Sequence, residues 1–184
     1  MARQRDDKGE DTLDLTDRLL QHDAWMTRKL LEHAQTLTSE QLDCVKVGGS
    51  TTVPWEEPEQ TLRSSLARMV FTKEVWVAAV RGLPMPDDSD VSPDGMLKRL
   101  DRSYADFMEI VREVREQGKW DETFVDGICA PPETFTFGGM IAHVITYSAC
   151  RRQAVYKTME ALGGEDLCHG DPLDWEMSGA FLPG

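Results

Sequence analysis

Apolar residues return at helical spacing over four long stretches of this chain. From Leu13 to about Ala34 they fall at Leu15, Leu19, Met26 and Leu30, with Leu20, Ala24, Leu31 and Ala34 beside them, which predicts a first amphipathic helix. Thr38-Ser-Glu-Gln-Leu42 follows, with a hydroxyl residue three positions before a glutamine, the pattern of a capped helical turn. Residues 46–58 hold Gly48, Gly49, Ser50, Pro54 and Pro58 and read as a loop. A second helix is predicted from about Glu59 to Val80, burying Leu62, Leu66, Met69, Trp76 and Val80 and ending at Gly82-Leu-Pro-Met-Pro86.

Beyond the acidic loop Asp87-Asp-Ser-Asp90, Ser92-Pro93 opens a third helix in the cap-then-proline order. Its stripe of Leu97, Leu100, Tyr104, Phe107, Val111 and Val114 is the most regular in the chain. The stretch from Phe124 to Phe137 contains Pro131-Pro132 and the alternating Thr134-Phe-Thr-Phe137, so it reads as a loop with a short extended piece. A fourth helix should run from about Gly138 to Leu162, where Gly163-Gly164 stops it. Residues 1–11 read as a charged tail, 12–176 as one domain and 177–184 as a second tail, with Trp175 placed to tuck against the domain. Four long amphipathic helices without strand-rich segments predict an all-α four-helix bundle.

Composition narrows the possible roles. At 184 residues the chain is long enough to bury its own core in one domain. A formal charge of −13 argues against nucleic acid or an anionic membrane as partner of the whole surface, though it leaves room for a local basic pocket. No apolar run approaches the roughly 18 residues of a membrane span. The charged N-terminal residues have no apolar stretch behind them and do not resemble a signal peptide. The four cysteines, Cys44, Cys129, Cys150 and Cys168, are far apart and form no Cys-x-x-Cys, which fits reduced thiols in a cytoplasmic protein.

The chemistry-bearing residues gather on the fourth helix. Two ligands four residues apart on one helix face can hold a divalent metal. Here such a pair of positions is filled by Tyr147 and Arg151, and an arginine cannot lose its proton to become a ligand. His143, Tyr147 and Cys150 share a face at i, i+4 and i+7, and a thiol beside Arg151 and Arg152 is a candidate nucleophile or an inert packing residue. His22 and His143 are read as structural histidines, and His33 and His169 as surface or loop residues.

Four pieces in order carry a resemblance to a known family. They are His22-Asp-Ala-Trp25-Met-Thr-Arg28-Lys-Leu30-Leu31 with Leu37-Thr-Ser-Glu-Gln-Leu42, then Thr61-Leu-Arg-Ser-Ser-Leu-Ala-Arg68-Met69, then Thr134-Phe-Thr-Phe137 running into His143-Val-Ile-Thr-Tyr147-Ser-Ala-Cys150-Arg151-Arg152, and last Met159-Glu-Ala-Leu-Gly163. Over about residues 13–175 the chain resembles the damage-inducible DinB-like family of bacterial four-helix bundles. The resemblance implies a bundle with crossed connections and a homodimer formed through helices. It also implies a divalent metal such as zinc or nickel, held by one histidine of the second helix and two of the fourth, and thiol-linked transferase or isomerase chemistry. The family has Leu-x-His in its second helix and His-Val-x-x-His-Gly-x-His-His-Arg in its fourth, so its ligand positions fall on Arg68, Tyr147 and Arg151, flanked by His143 and Arg152.

None of the three is a histidine, and two are permanent cations. A substitute zinc site at His143 and Cys150 would be repelled by those guanidiniums. No metal or other cofactor is therefore expected. Arginines turned inward need a negative partner. Protein carboxylates are one candidate, with Glu74, Asp23 and Glu109 within reach on other helices. An anionic small molecule held by Arg68, His143, Tyr147, Cys150 and Arg151 is the other. The alternative is an enzyme related to the family transferases or isomerases, using His143, Tyr147 and Cys150, with Tyr147 as proton donor.

Overall fold

The computed structural model describes residues 13–47, 60–164, 167 and 170–180. The predicted tail 1–11, most of the predicted loop 46–58, and Cys168 and His169 lie outside the described residues. Four long helices form the bundle: α1 (Leu15–Ala34), α3 (Leu62–Arg81), α4 (Pro93–Glu116) and α5 (Phe137–Ala161). The single turn α2 (Ser39–Leu42) follows α1, and a short α6 (Pro172–Ser178) follows α5. Between α4 and α5 lie β1 (Thr123–Asp126) and β2 (Glu133–Thr136).

Each helix begins where its sequence supplies a cap. Asp14 and Thr61 each form a reciprocal capping box with the residue three positions on, and Ser92 caps α4 just ahead of Pro93. Thr38 does the same for α2, as its pattern predicts. At the far end of α3, Gly82 takes φ +64°, a left-handed conformation that glycine adopts without a Cβ penalty.

The long helices pack as a ring in the order α1, α4, α3, α5, so α1 and α3 face each other across the bundle axis, and so do α4 and α5. The connections from α1 to α3 and from α4 to α5 therefore cross the bundle, as expected from the resemblance. The core divides into two apolar halves. One holds Leu30, Leu31, Leu62, Leu66, Met69, Met96, Leu100 and Met159. The other holds Leu20, Val77, Phe107, Ile110, Val111, Ile141 and Val144. On every long helix a buried polar residue separates the two sets: Asp23 on α1, Lys73 on α3, Ser103 on α4, and Ser148 with Arg151 and Arg152 on α5.

Three details differ from the sequence reading. Leu15 and Leu19 are exposed rather than buried, at 71% and 37%. The inward stripe of α1 runs through Leu20, Asp23, Thr27, Leu30 and Ala34, so two polar residues hold positions that apolar spacing does not mark. Leu19 instead lines an open apolar cleft of about 340 Å³ with Trp120, Ile141 and Ile145.

Second, the expected loop before the last helix is an antiparallel hairpin that pairs Phe124 with Phe135. Only its second strand alternates clearly in the sequence. The hairpin is tied to α5 by the Gly138 N–H, which donates to the Trp120 carbonyl at 2.8 Å. A Cβ on Gly138 would lie 2.9 Å from that oxygen, so glycine is required by close approach. Third, the segment around Trp175 is a helix, α6, capped by Asp171, with Trp175 1% exposed. Among the described residues no helix is long and apolar enough to cross a membrane.

Phe107 is fully buried in the second apolar half. Replacing it with alanine should lower the unfolding free energy by about 3–5 kcal/mol. Urea titration checks this, with an unchanged denaturant slope marking a loss of packing rather than a change of fold.

Candidate functional site

The polar layer between the two apolar halves is built around one carboxylate. Asp23, 1% exposed on α1, takes an ion pair from Lys73 Nζ at 2.8 Å and a hydrogen bond from Arg152 Nη1. Lys73 is equally buried and reaches across the bundle axis from α3, and its ammonium also donates to Ser148 Oγ at 3.2 Å. Removing an ammonium from water disfavours its charge. Burial accordingly pushes Lys73 down to about 7, and the nearby Arg151 guanidinium adds to the shift. The Asp23 carboxylate works in the opposite sense and favours the charged ammonium. Burial also lowers Arg152, to about 10.

His22, next to Asp23, looks the other way. Its Nε2 lies 2.9 Å from the Gly170 carbonyl, and its ring meets Trp175 of α6 edge-on at 6.4 Å. Burial lowers its pKa, the Arg152 charge lowers it further, and the bond to Gly170 opposes both. The histidine thus serves as a contact to the C-terminal segment, which agrees with the structural role read from the sequence.

A second polar group lies where α3 meets α5. Arg151 is 4% exposed, and its Nη1 donates to Thr72 Oγ1 at 2.5 Å. The Thr72 hydroxyl in turn donates to the Arg68 carbonyl at 2.8 Å, which joins the two arginine positions through one side chain. The Arg151 guanidinium also stands 5.9 Å from the centre of the Tyr147 ring. Tyr147 stacks on His143 at 4.3 Å, and His143 meets Trp76 edge-on at 5.5 Å. Trp76 then contacts Phe135 of the hairpin at 5.7 Å and Phe124 at 6.4 Å. Arg68 is half-buried with its guanidinium 5.6 Å from the centre of the Phe71 ring, and it makes no ion pair among the described residues.

A sequence model of the DinB superfamily matches residues 22–149, well over half of the chain. The chain belongs to the DinB superfamily. Comparison with curated proteins and with solved structures returns no match. The matched segment runs from His22 to just short of Arg151, so it spans α3 entire and about half of α5.

In this DinB-superfamily bundle the three positions that carry ligands in the family by resemblance supply no set of metal donors. Arg68 and Arg151 are cations, and Tyr147 is engaged with His143 and Arg151. Among the described residues no three His, Cys, Asp or Glu side chains come together. Of the five site residues named from the sequence, the structure gathers His143, Tyr147 and Arg151 and puts Arg68 one helical turn from Thr72. Cys150 is a free, exposed thiol on the same helix.

The carboxylates proposed as partners for the arginines have other cations. Glu74 takes the buried Arg99 with contacts of 3.0 and 2.5 Å, and Glu109 lies 3.6 Å from Arg81. Asp23 takes Lys73 and Arg152. Sequence reading passed over Lys73 altogether and set Arg152 aside as a flanking position. A signal was present: Lys73 interrupts an apolar stripe at Met69, Val70 and Val77, and a lysine at such a phase must find a buried counter-charge.

Replacing Asp23 with asparagine should cost about 3–5 kcal/mol near neutral pH, because it leaves buried cations unmatched. The variant's own stability, like that of the wild type, should rise with pH from about 7 towards 10.5, the ordinary lysine value. In that window the unfolded chain binds a proton on Lys73 that the folded protein releases, so stability climbs with pH. Denaturation across this range checks it, and the rise with pH should vanish in an Asp23→Asn, Lys73→Met double variant.

Proposed function

We propose that this DinB-superfamily protein works without a metal at the family ligand positions and receives a small anionic ligand where α3 meets α5. The observation that carries the reading is that Arg151 bonds Thr72 of α3 one helical turn from Arg68, and that Arg68 is half-buried and makes no ion pair with a described carboxylate. A guanidinium fork matches a carboxylate or phosphate with parallel donors, whereas it repels a dication.

The surroundings favour the same sign. Lys73 and Arg152 lie beneath, and Asp23 is the one carboxylate that touches them among the described residues. In a chain of net charge −13, a group of side chains with this balance attracts anions locally. His143 and Tyr147, stacked on each other along α5 towards Arg151, carry an imidazole and a phenol as further donors.

Two measurements test the reading. Protein purified without chelators should hold far less than one zinc or nickel per chain, and stoichiometric metal bound through His143 and Cys150 would overturn it. Inorganic phosphate, followed by calorimetry, should bind, and Arg68→Met should weaken that binding about tenfold to a hundredfold, the value of one lost charge-assisted contact. Phosphate binding indifferent to both Arg68→Met and Arg151→Met would place any anion elsewhere.

A further inference from the structure

The outward face of α5 differs from those of the other long helices. A helix at the surface of a bundle ordinarily turns charged residues to the solvent. From Phe137 to Cys150, more than half of α5, there is no Asp, Glu, Lys or Arg, a run that none of the other long helices approaches. The inner side of this stretch buries Met140, Ile141, Val144 and Ser148. Its outer side exposes Ala142, Thr146 and Ala149.

Beside this face lies the open apolar cleft of about 340 Å³, which Ile141, Ala142 and Ile145 of α5 line together with Leu19 of α1. Leu15 stands out one helical turn before Leu19. Further along α1, α6 is seated by Glu176 against Arg18 and by Trp175 against His22. It leaves Leu173 and Met177 exposed. Four large apolar side chains on two adjoining helices, next to an apolar cleft, are left to water in the single chain.

Charge and area narrow what covers them. A charged partner would find no counter-charge between Phe137 and Cys150. Two chains of net charge −13 repel at long range, so they approach best through an uncharged face. This one also holds both halves of a fit, leucines that project and a cleft that receives. A twofold pair needs that combination, because the same patch meets itself. Two helices about 10 Å across, over about 20 Å of charge-free α5, give roughly 400 Å² per copy in plan. Side-chain relief and the exposed face of α6 carry the accessible area of the pair past the roughly 1,000 Å² that a specific interface needs.

We infer that the α1–α5 face is where a second copy of this chain docks, with Leu15 of each copy set against the apolar cleft of the other. The interface is separate from the anion-binding reading where α3 meets α5.

Sedimentation equilibrium of the full chain should show a reversible dimer forming over roughly 1–100 μM, a modest affinity for such an area. Raising the ionic strength from about 0.05 to 0.5 M should tighten it severalfold, since salt screens the like net charges. Leu15→Glu and Ala142→Glu, both at exposed positions, should each weaken the dimer about a hundredfold, because a carboxylate would be buried without a partner. Val125→Glu, at an exposed position of the hairpin, should leave it unchanged. Far-UV circular dichroism confirms that each variant is folded. A wild-type chain that stays monomeric at every concentration overturns the inference and leaves the cleft to a small apolar ligand or a different protein. A dimer that salt loosens, that survives both Leu15→Glu and Ala142→Glu, or that Val125→Glu dissociates uses another face and overturns it as well.

Discussion

A carboxylate buried in the middle of a helical bundle has to be met by cations, and here that requirement organises the molecule. Asp23 loses almost all contact with water, and its two oxygens are answered by Lys73 from the opposite helix and Arg152 from a neighbouring one. Desolvating three charges costs several kcal/mol each before their attraction is counted, so the layer contributes little net stability as a whole. What it contributes is register. Lys73 reaches Asp23 only when α1 and α3 stand opposite each other at one height, and Arg152 reaches it only when α5 is set beside α1. The two apolar halves of the core are less demanding, because aliphatic side chains of similar volume can repack with modest penalties.

That register then sets which side chains meet where α3 packs on α5. With Lys73 fixed against Ser148, the next face of α3 turns Thr72 towards Arg151 and leaves Arg68 at the margin. The hairpin secures the other side. Its rings grip Trp76, and its attachment at Gly138 fixes where α5 begins, which carries His143 and Tyr147 to their places along Trp76. The ion layer and the hairpin thus fix the α3–α5 contact from two sides, one through charge and the other through ring packing.

The bundle was legible in the sequence because its signals are local. Ser92-Pro93, Thr61 with Ser64, and Gly82 mark helix ends by backbone chemistry that needs no tertiary partner, and the α4 stripe announces its buried face by period alone. The polar layer was harder to read for the converse reason. Asp23, Lys73 and Arg152 are 50 and more positions apart, and each resembles a surface residue until its partners are known. Periodicity ranks residues by hydrophobicity, so it promoted Leu15 and Leu19 to the core and passed over Asp23 and Thr27, which are inside. The family resemblance led to Arg68, Tyr147 and Arg151 because ligand positions travel with the helix pattern. It said nothing of Lys73, whose importance comes from a contact across the bundle axis. The first strand escaped notice because Thr-Phe-Val-Asp is short and its pairing lies across a loop.

A triad in which two cations share one anion also limits how this sequence can drift. Losing Asp23 strands two charges, while losing either cation leaves the other to balance the carboxylate without its second set of donors. Every one-step path away from the triad descends in stability before it can recover, and recovery needs compensating changes on two or three helices together. The basic character of this level of the bundle is therefore held in place by folding itself. It would persist through many substitutions on the surrounding helix faces.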